Sequence, residues 1–251
     1  IMGAQARYWG SIGTSILKAG KLTVGMVGLT EDRLKQKSVA YEKIYLCPNT
    51  NAAYYPGGTL LNIKLIFAPD GKILGVQAVG VKGVDKRIDV IATAMRNGMT
   101  APELAYIELS YAPPYNSAKD PVNMAGMIAE NVLNGTSQIV HADSIPDGSF
   151  LLDVREVAEF NLGTIPGSVN IPLGTLRERL TELPKEREIV VFCLAGTRGY
   201  VAERILRQHG FNVKNLSGGY LIWKLFNPDS LSKPVLSCCT PVGLYEAVGK
   251  S

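Results

Sequence analysis

The run Ile189-Val190-Val191-Phe192-Cys193 is apolar at every position, and a helical pattern begins within five residues of its end. A strand with one wet face alternates apolar with polar residues. This one does not, so it must be covered on both faces, as an inner strand of a parallel sheet is. Such a sheet demands strand–loop–helix alternation in the surrounding chain, and the sequence supplies it. Phe150 to Val154 reads as a short strand, and Leu176 to Leu183 as a helix stopped by Pro184. Thr197 to His209 reads as a helix closed by Gly210, and Val213 to Leu216 as a strand. Gly218-Gly219 then leads a helix through Trp223.

Upstream of Gly135 the pattern changes. Strands are expected at 21–28, 41–47, 60–68 and 72–81, the last two joined by the turn Pro69-Asp70-Gly71. Hairpin-like connections of this kind imply antiparallel pairing. Thr30 caps a short helix from Glu31 to Lys37. Ile88, Ile91, Ala92 and Met95 fall at helical spacing before Gly98. Asp120-Pro121 opens another helix, with Met124, Met127, Ile128 and Leu133 as its expected apolar face. The expected architecture is an α+β domain with an antiparallel sheet over 1–135, an α/β domain with a parallel sheet over 136–227, and an aperiodic tail over 228–251.

Composition narrows the function. Hydrophobic residues make up 46% of the 251 and charged residues 19%, which excludes a disordered chain. No apolar run reaches the ~18 residues of a membrane helix, and Ile1 to Arg7 lacks the apolar core of a secretory signal. The abrupt start reads as that of a piece of a longer protein. The net charge of +4 comes from the first half, with 14 Lys and Arg against 10 Asp and Glu up to residue 135 and 12 against 12 beyond it. That excess is too small for a nucleic-acid footprint but suits a small phosphorylated ligand. Four dispersed cysteines (Cys47, Cys193 and the adjacent Cys238 and Cys239) make no disulfide scaffold and point to a cytoplasmic location. With two histidines and no CxxC or HExxH spacing, no zinc site is expected.

The segment Cys193-Leu194-Ala195-Gly196-Thr197-Arg198-Gly199-Tyr200 carries the chemistry. A cysteine that ends a buried strand just before a helix faces backbone N–H groups, and Gly196 permits the tight curl. The helix N-terminus and Arg198 both favour thiolate over thiol. The bland alternative is a buried structural cysteine. A cysteine protease is disfavoured because neither His141 nor His209 is placed at the thiol. A cysteine phosphatase loop has five residues between Cys and Arg, whereas four stand here.

This segment resembles the active-site loop of single-domain rhodaneses, the sulfurtransferases. Leu152-Asp153-Val154-Arg155-Glu156, Ile165-Pro166-Gly167-Ser168-Val169-Asn170-Ile171-Pro172 and Leu216-Ser217-Gly218-Gly219-Tyr220 follow in the family's order. The family often has His where this chain has Thr164. The resemblance implies that Cys193 carries sulfane sulfur as a persulfide. Arg198 and the loop residues Leu194, Ala195, Gly196, Thr197 and Gly199 would hold the anion, and Asp153 and Arg155 would brace the loop.

In the first half, Tyr54-Tyr55-Pro56-Gly57 and Tyr111-Ala112-Pro113-Pro114-Tyr115 read on their own as aromatic-proline turns. Paired prolines also fix an extended loop that could aim a phenol. With Gly83-Val84-Asp85-Lys86-Arg87-Ile88-Asp89-Val90, they resemble the C-terminal dimerisation domain of flavin-dependent pyridine nucleotide-disulfide oxidoreductases, in particular coenzyme A-disulfide and coenzyme A-persulfide or polysulfide reductases. The resemblance implies a homodimer in which Tyr54 and Tyr111, with Tyr115 as runner-up, reach the partner's coenzyme A sulfur site. Lys86 and Arg87 are candidates for its phosphates. Some of these reductases end in a rhodanese domain, in the order found here.

The sequence has no GxGxxG, so FAD and NAD(P)H are implied for an intact enzyme and no cofactor is expected on this fragment. Thiosulfate, polysulfide and coenzyme A persulfide or disulfide are the expected small-molecule partners, with no nucleic acid and no membrane. Two rival readings stay open: a non-catalytic assembly module, and a relative of NADH oxidases or peroxidases. Cys47 reads as a structural thiol, Cys238-Cys239 as incidental thiols or a sulfur-accepting pair, and Gly243 to Ser251 as a false phosphate loop.

Overall fold

The computed structural model describes residues 7–228, which form two five-stranded sheets. The first sheet is antiparallel throughout. Its strands β1 (Ser15–Ala19), β2 (Leu22–Gly28), β3 (Glu42–Leu46), β4 (Leu61–Phe67) and β5 (Ile73–Gly80) lie in the order β1-β2-β5-β4-β3. Helix α1 (Glu31–Gln36) starts where the Thr30 hydroxyl accepts the Arg33 N–H. Helix α2 (Val84–Arg96) buries Val84, Ile88, Ile91 and Ala94 against the sheet. Gly25 makes room for it, since a Cβ there would lie within 2.9 Å of both Val84 and Ile88.

Helix α3 (Pro121–Leu133) is capped by Asp120, whose carboxylate accepts the Val122 N–H at 2.8 Å. Its buried face is not the expected methionine stripe. Val122, Ala125, Gly126 and Ala129 point inward, while Met127 is 36% exposed and Met124, Ile128 and Leu133 are only partly buried. The cause is close backbone approach. A Cβ at Gly126 would sit 2.2 Å from the Ala105 nitrogen in the 3₁₀ segment Pro102–Tyr106. Strand β1 is also absent from the sequence reading, because all five of its residues are exposed and no buried face marks it.

The second sheet is parallel throughout: β6 (Ile139–Val140), β7 (Phe150–Asp153), β8 (Val169–Asn170), β9 (Ile189–Phe192) and β10 (Val213–Leu216), in the order β6-β10-β9-β7-β8. Helices α4 (Val157–Asn161), α5 (Thr197–Gln208) and α6 (Gly219–Phe226) accompany it. All four residues of β9 are fully buried. Ile189 and Val191 join Ala202 and Leu206 of α5 on one face, and Val190 and Phe192 join Tyr220 and Trp223 of α6 on the other. The helix expected at 176–183 is instead 3₁₀ turns over Leu173–Glu182, broken at Arg179. Leu176 still packs into the core.

The two sheets meet along the edge strand β3. Its Tyr45 N–H donates to the Ser217 hydroxyl at 2.8 Å, which satisfies an edge donor that no neighbouring strand reaches. Lys43 bridges Glu31 and Asp143, both at 3.0 Å. The Tyr45 ring meets His141 and Phe226 edge-on, each at 6.0 Å between centroids.

Candidate functional site

Cys193 follows the last residue of β9, and its side chain is nearly enclosed, with 2% of the residue exposed. Gly196 adopts φ 99° and turns its N–H to the Cys193 Sγ at 3.2 Å. That φ favours glycine. The loop is held from two sides. Asn215 Nδ2 donates to the Gly196 carbonyl at 3.2 Å. The first N–H groups of α6, from Tyr220 and Leu221, donate to the carbonyls of Cys193 and Leu194 at 2.8 and 3.0 Å. Gly199 and Gly219 are steric necessities. A Cβ at 199 would lie 2.3 Å from Asn215 Oδ1, and one at 219 would lie 2.4 Å from the Cys193 carbonyl.

Arg198, on the first turn of α5, makes a bidentate pair with Glu159 of α4, at 2.6 and 2.7 Å. Glu159 in turn accepts the Glu156 N–H at 3.1 Å in a capping box. The Arg198 guanidinium beside Glu159 is held above its usual range, with Cys193 acting in the same direction. The same pairing holds the Glu159 carboxyl below the usual carboxylate range. Glu159 is a residue that sequence reasoning missed. The signal was present, since Glu156 and Glu159 have capping-box spacing.

Asp153 and Arg155 are buried together behind the loop. Their ion pair closes at 2.6 Å, and Arg155 also donates to the Gly163 carbonyl at 2.8 Å. The Thr164 hydroxyl donates to Asp153 at 2.8 Å. The Arg155 guanidinium lies over the Tyr220 ring, 4.5 Å from its centroid. Both residues are buried and engaged with one another.

Comparison with known proteins agrees with both halves of this architecture. The rhodanese-like domain family matches residues 137–225, and the pyridine nucleotide-disulphide oxidoreductase dimerisation domain family matches residues 15–121. The chain joins a pyridine nucleotide-disulphide oxidoreductase dimerisation domain to a rhodanese-like domain. The structure of reduced Bacillus anthracis CoADR-RHD is 46% identical with a TM-score of 0.87, over 90% of this chain and 41% of that one. An NAD-dependent persulfide reductase from A. fulgidus is 37% identical with a TM-score of 0.82, over 88% and 41%. The coenzyme A disulfide reductase of Staphylococcus haemolyticus is 40% identical over 126 residues, or 50% of this chain and 28% of the relative. The chain thus spans less than half the length of these relatives.

On the dimerisation domain, the structure brings Tyr54 and Tyr111 together, hydroxyl to hydroxyl, at 3.2 Å. Both are exposed, as is Tyr115 four residues further on. Lys86 is half-buried on α2. Arg87 is a correction. Only 2% exposed, it is not at the surface to meet a phosphate. Its Nη2 donates to the Thr50 carbonyl (2.9 Å), Asn116 Oδ1 (2.9 Å) and Asp120 Oδ2 (3.0 Å). It thereby ties together the loops that carry the two tyrosines. A buried arginine with a carboxylate partner 33 residues away leaves no local mark in a sequence.

Cys47 lies at the domain junction, with its Sγ 4.0 Å from the Gly218 carbonyl. Burial, aided by the nearby Cys193, pushes its thiol up to about 12. At neutral pH it is protonated, which suits a structural thiol. No helix among the described residues is long and apolar enough to cross a membrane. Cys238, Cys239 and the segment from Gly243 to Ser251 lie outside the described residues.

Proposed function

We propose that this chain handles sulfane sulfur within a coenzyme A disulfide or persulfide reductase, and that Cys193 is the carrier. The observation that carries the reading is the N–H of Gly196 directed at the Cys193 sulfur at the head of α5. An inward-pointing amide and the positive end of a helix stabilise an anion. In the proposed step, the Cys193 thiolate attacks the outer sulfur of a persulfide, R–S–S⁻. A new S–S bond forms, the donor's S–S bond breaks, and its bonding pair leaves with R–S⁻. The persulfide left on Cys193 keeps the negative charge where the loop amides, Thr197 and Arg198 can hold it. An acceptor thiolate removes the outer sulfur in the reverse sense.

The dimerisation domain has a second role in this reading. Its Tyr54 and Tyr111 donate hydrogen bonds to the sulfur of coenzyme A held by a second copy of the chain, and Tyr115 and Lys86 flank that site. FAD and NAD(P)H are implied for the intact enzyme by the family of this domain. The chain has no glycine-rich dinucleotide fingerprint, so its residues are assigned no contact with either.

The test is intact-mass spectrometry after a brief polysulfide pulse. Unsubstituted protein should gain one sulfur, about 32 Da. Cys193→Ser should gain none on the corresponding peptide. Absence of the adduct on both proteins would favour a non-catalytic assembly module.

A further inference from the structure

We propose that Glu159 is a specificity-determining residue that makes the Cys193 loop discriminate against doubly charged sulfur donors. The inference rests on Cys193 being the sulfur carrier and assigns the charge class of donor that the site accepts. The two strong hydrogen bonds that Arg198 donates to Glu159 set a carboxylate against the guanidinium charge in the resting site. The carboxylate has little freedom to leave, because the Glu156 N–H holds it through the capping box at the start of α4. It carries its charge at neutral pH, since Arg198 keeps its carboxyl below the usual range, with burial opposing.

The pair is also more open to solvent than the sulfur. Glu159 and Arg198 side chains are about a third exposed (32% and 33%), whereas Cys193 is 2% exposed. Arg155, the buried cation over the Tyr220 ring, is already paired with Asp153. A donor approaching the sulfur therefore meets the Glu159 carboxylate beside the Arg198 guanidinium, which also acts on Cys193. Its attraction to the loop comes from backbone amides, the helix terminus and the part of the Arg198 charge that Glu159 does not offset. Repulsion by one carboxylate grows in proportion to the charge of the donor. A dianion such as thiosulfate is penalised twice as much, in free energy, as a monoanionic persulfide or polysulfide end.

The chemistry permits a clean comparison. From thiosulfate, the Cys193 thiolate takes the outer sulfur and the bonding pair leaves with sulfite dianion. From methanethiosulfonate, the same attack expels methanesulfinate monoanion. The two donors have nearly the same shape and differ by one charge. Thiocyanate formation with cyanide as common acceptor gives kcat/KM for each.

Glu159→Gln should raise kcat/KM by about tenfold for thiosulfate and by about threefold, the square root, for methanethiosulfonate, chiefly through KM. Glu159→Asp, which keeps the charge, should keep the original ratio between donors even where both rates fall. Glu159→Ser supplies the same neutral comparison if Glu159→Gln does not fold. An equal change on both donors would make Glu159 a mere brace and overturn the inference while leaving the carrier role intact. Sulfur transfer that survives Cys193→Ser would instead defeat the carrier reading on which it stands.

Discussion

The hydroxyls of Tyr54 and Tyr111 meet at 3.2 Å although 57 residues separate them in the chain. Neither phenol is buried, so the contact adds little to stability; it sets where two exposed hydrogen-bond donors point. The hydrogen bond to Tyr54 raises the Tyr111 phenol above its ordinary range, because ionisation would break it. Tyr54→Phe should therefore lower the Tyr111 titration. The measurement is a tyrosinate absorbance titration of Tyr54→Phe against Tyr54→Phe/Tyr111→Phe, set beside that of the unsubstituted chain against Tyr111→Phe. A Tyr111 titration unmoved by loss of Tyr54 would show the phenols apart in solution.

Beneath those tyrosines, Asp120→Ala should cost about 3–5 kcal/mol, because it strands the Arg87 charge inside the protein. Loss of the α3 cap adds about 1 kcal/mol. Denaturant titration reads the total. A loss near that of the cap alone would mean that water reaches Arg87.

Burial lowers His141 to about 4, with Lys43 and Lys64 acting in the same direction against Asp143 and Glu31. An unfolded histidine titrates near about 6.5. As pH falls from about 6.5 to about 4, the unfolded chain takes up a proton that the folded chain refuses, so stability is lost across that window. Comparing denaturation midpoints of the unsubstituted chain and His141→Gln through this range isolates the effect. The slope should be shallower in the variant, and parallel slopes would count against a neutral, enclosed imidazole.

Gly199→Ala places a methyl group against Asn215 Oδ1 and so loosens its hold on the Gly196 carbonyl. Misplacing a reacting group by about 1 Å costs about 100-fold in rate. Persulfide loading of Cys193 should fall by that order while the α5 helix remains, as amide circular dichroism would show. Unchanged loading would mean that the loop keeps its shape without Asn215.

Much of this site was legible because its constraints are local. Cys193 follows an uninterrupted apolar strand, and Gly196, Arg198 and Gly199 sit within six residues of it. Asp120-Pro121 announces its helix by capping chemistry alone. What escaped depends on partners distant in sequence or on backbone geometry that leaves no side-chain pattern. Arg87 looked like a surface cation until Asp120, Asn116 and Thr50 enclosed it. The methionines of α3 outweigh its alanines in hydrophobicity, yet only small side chains let the helix approach Ala105. Leu176 and Leu180 have spacing that suits an α-helix, but the chain breaks at Arg179 into 3₁₀ turns. Strand β1 forms by backbone pairing with β2 and has no buried side chains to announce it.

The turn at Ser217 to Gly219 has β3 of one domain on one side and the Cys193 loop on the other. The halves of this chain are therefore not interchangeable cassettes. A foreign rhodanese-like domain grafted after residue 136 would bring its own side chains to the Tyr45 amide and to the space that Gly218 leaves for the Tyr45 Cβ. Any mismatch there would be transmitted through one turn to the Cys193 loop. Lineages that carry both domains must change the two sides of that turn in step, and an engineer who wishes to exchange one domain must carry β3 along with it.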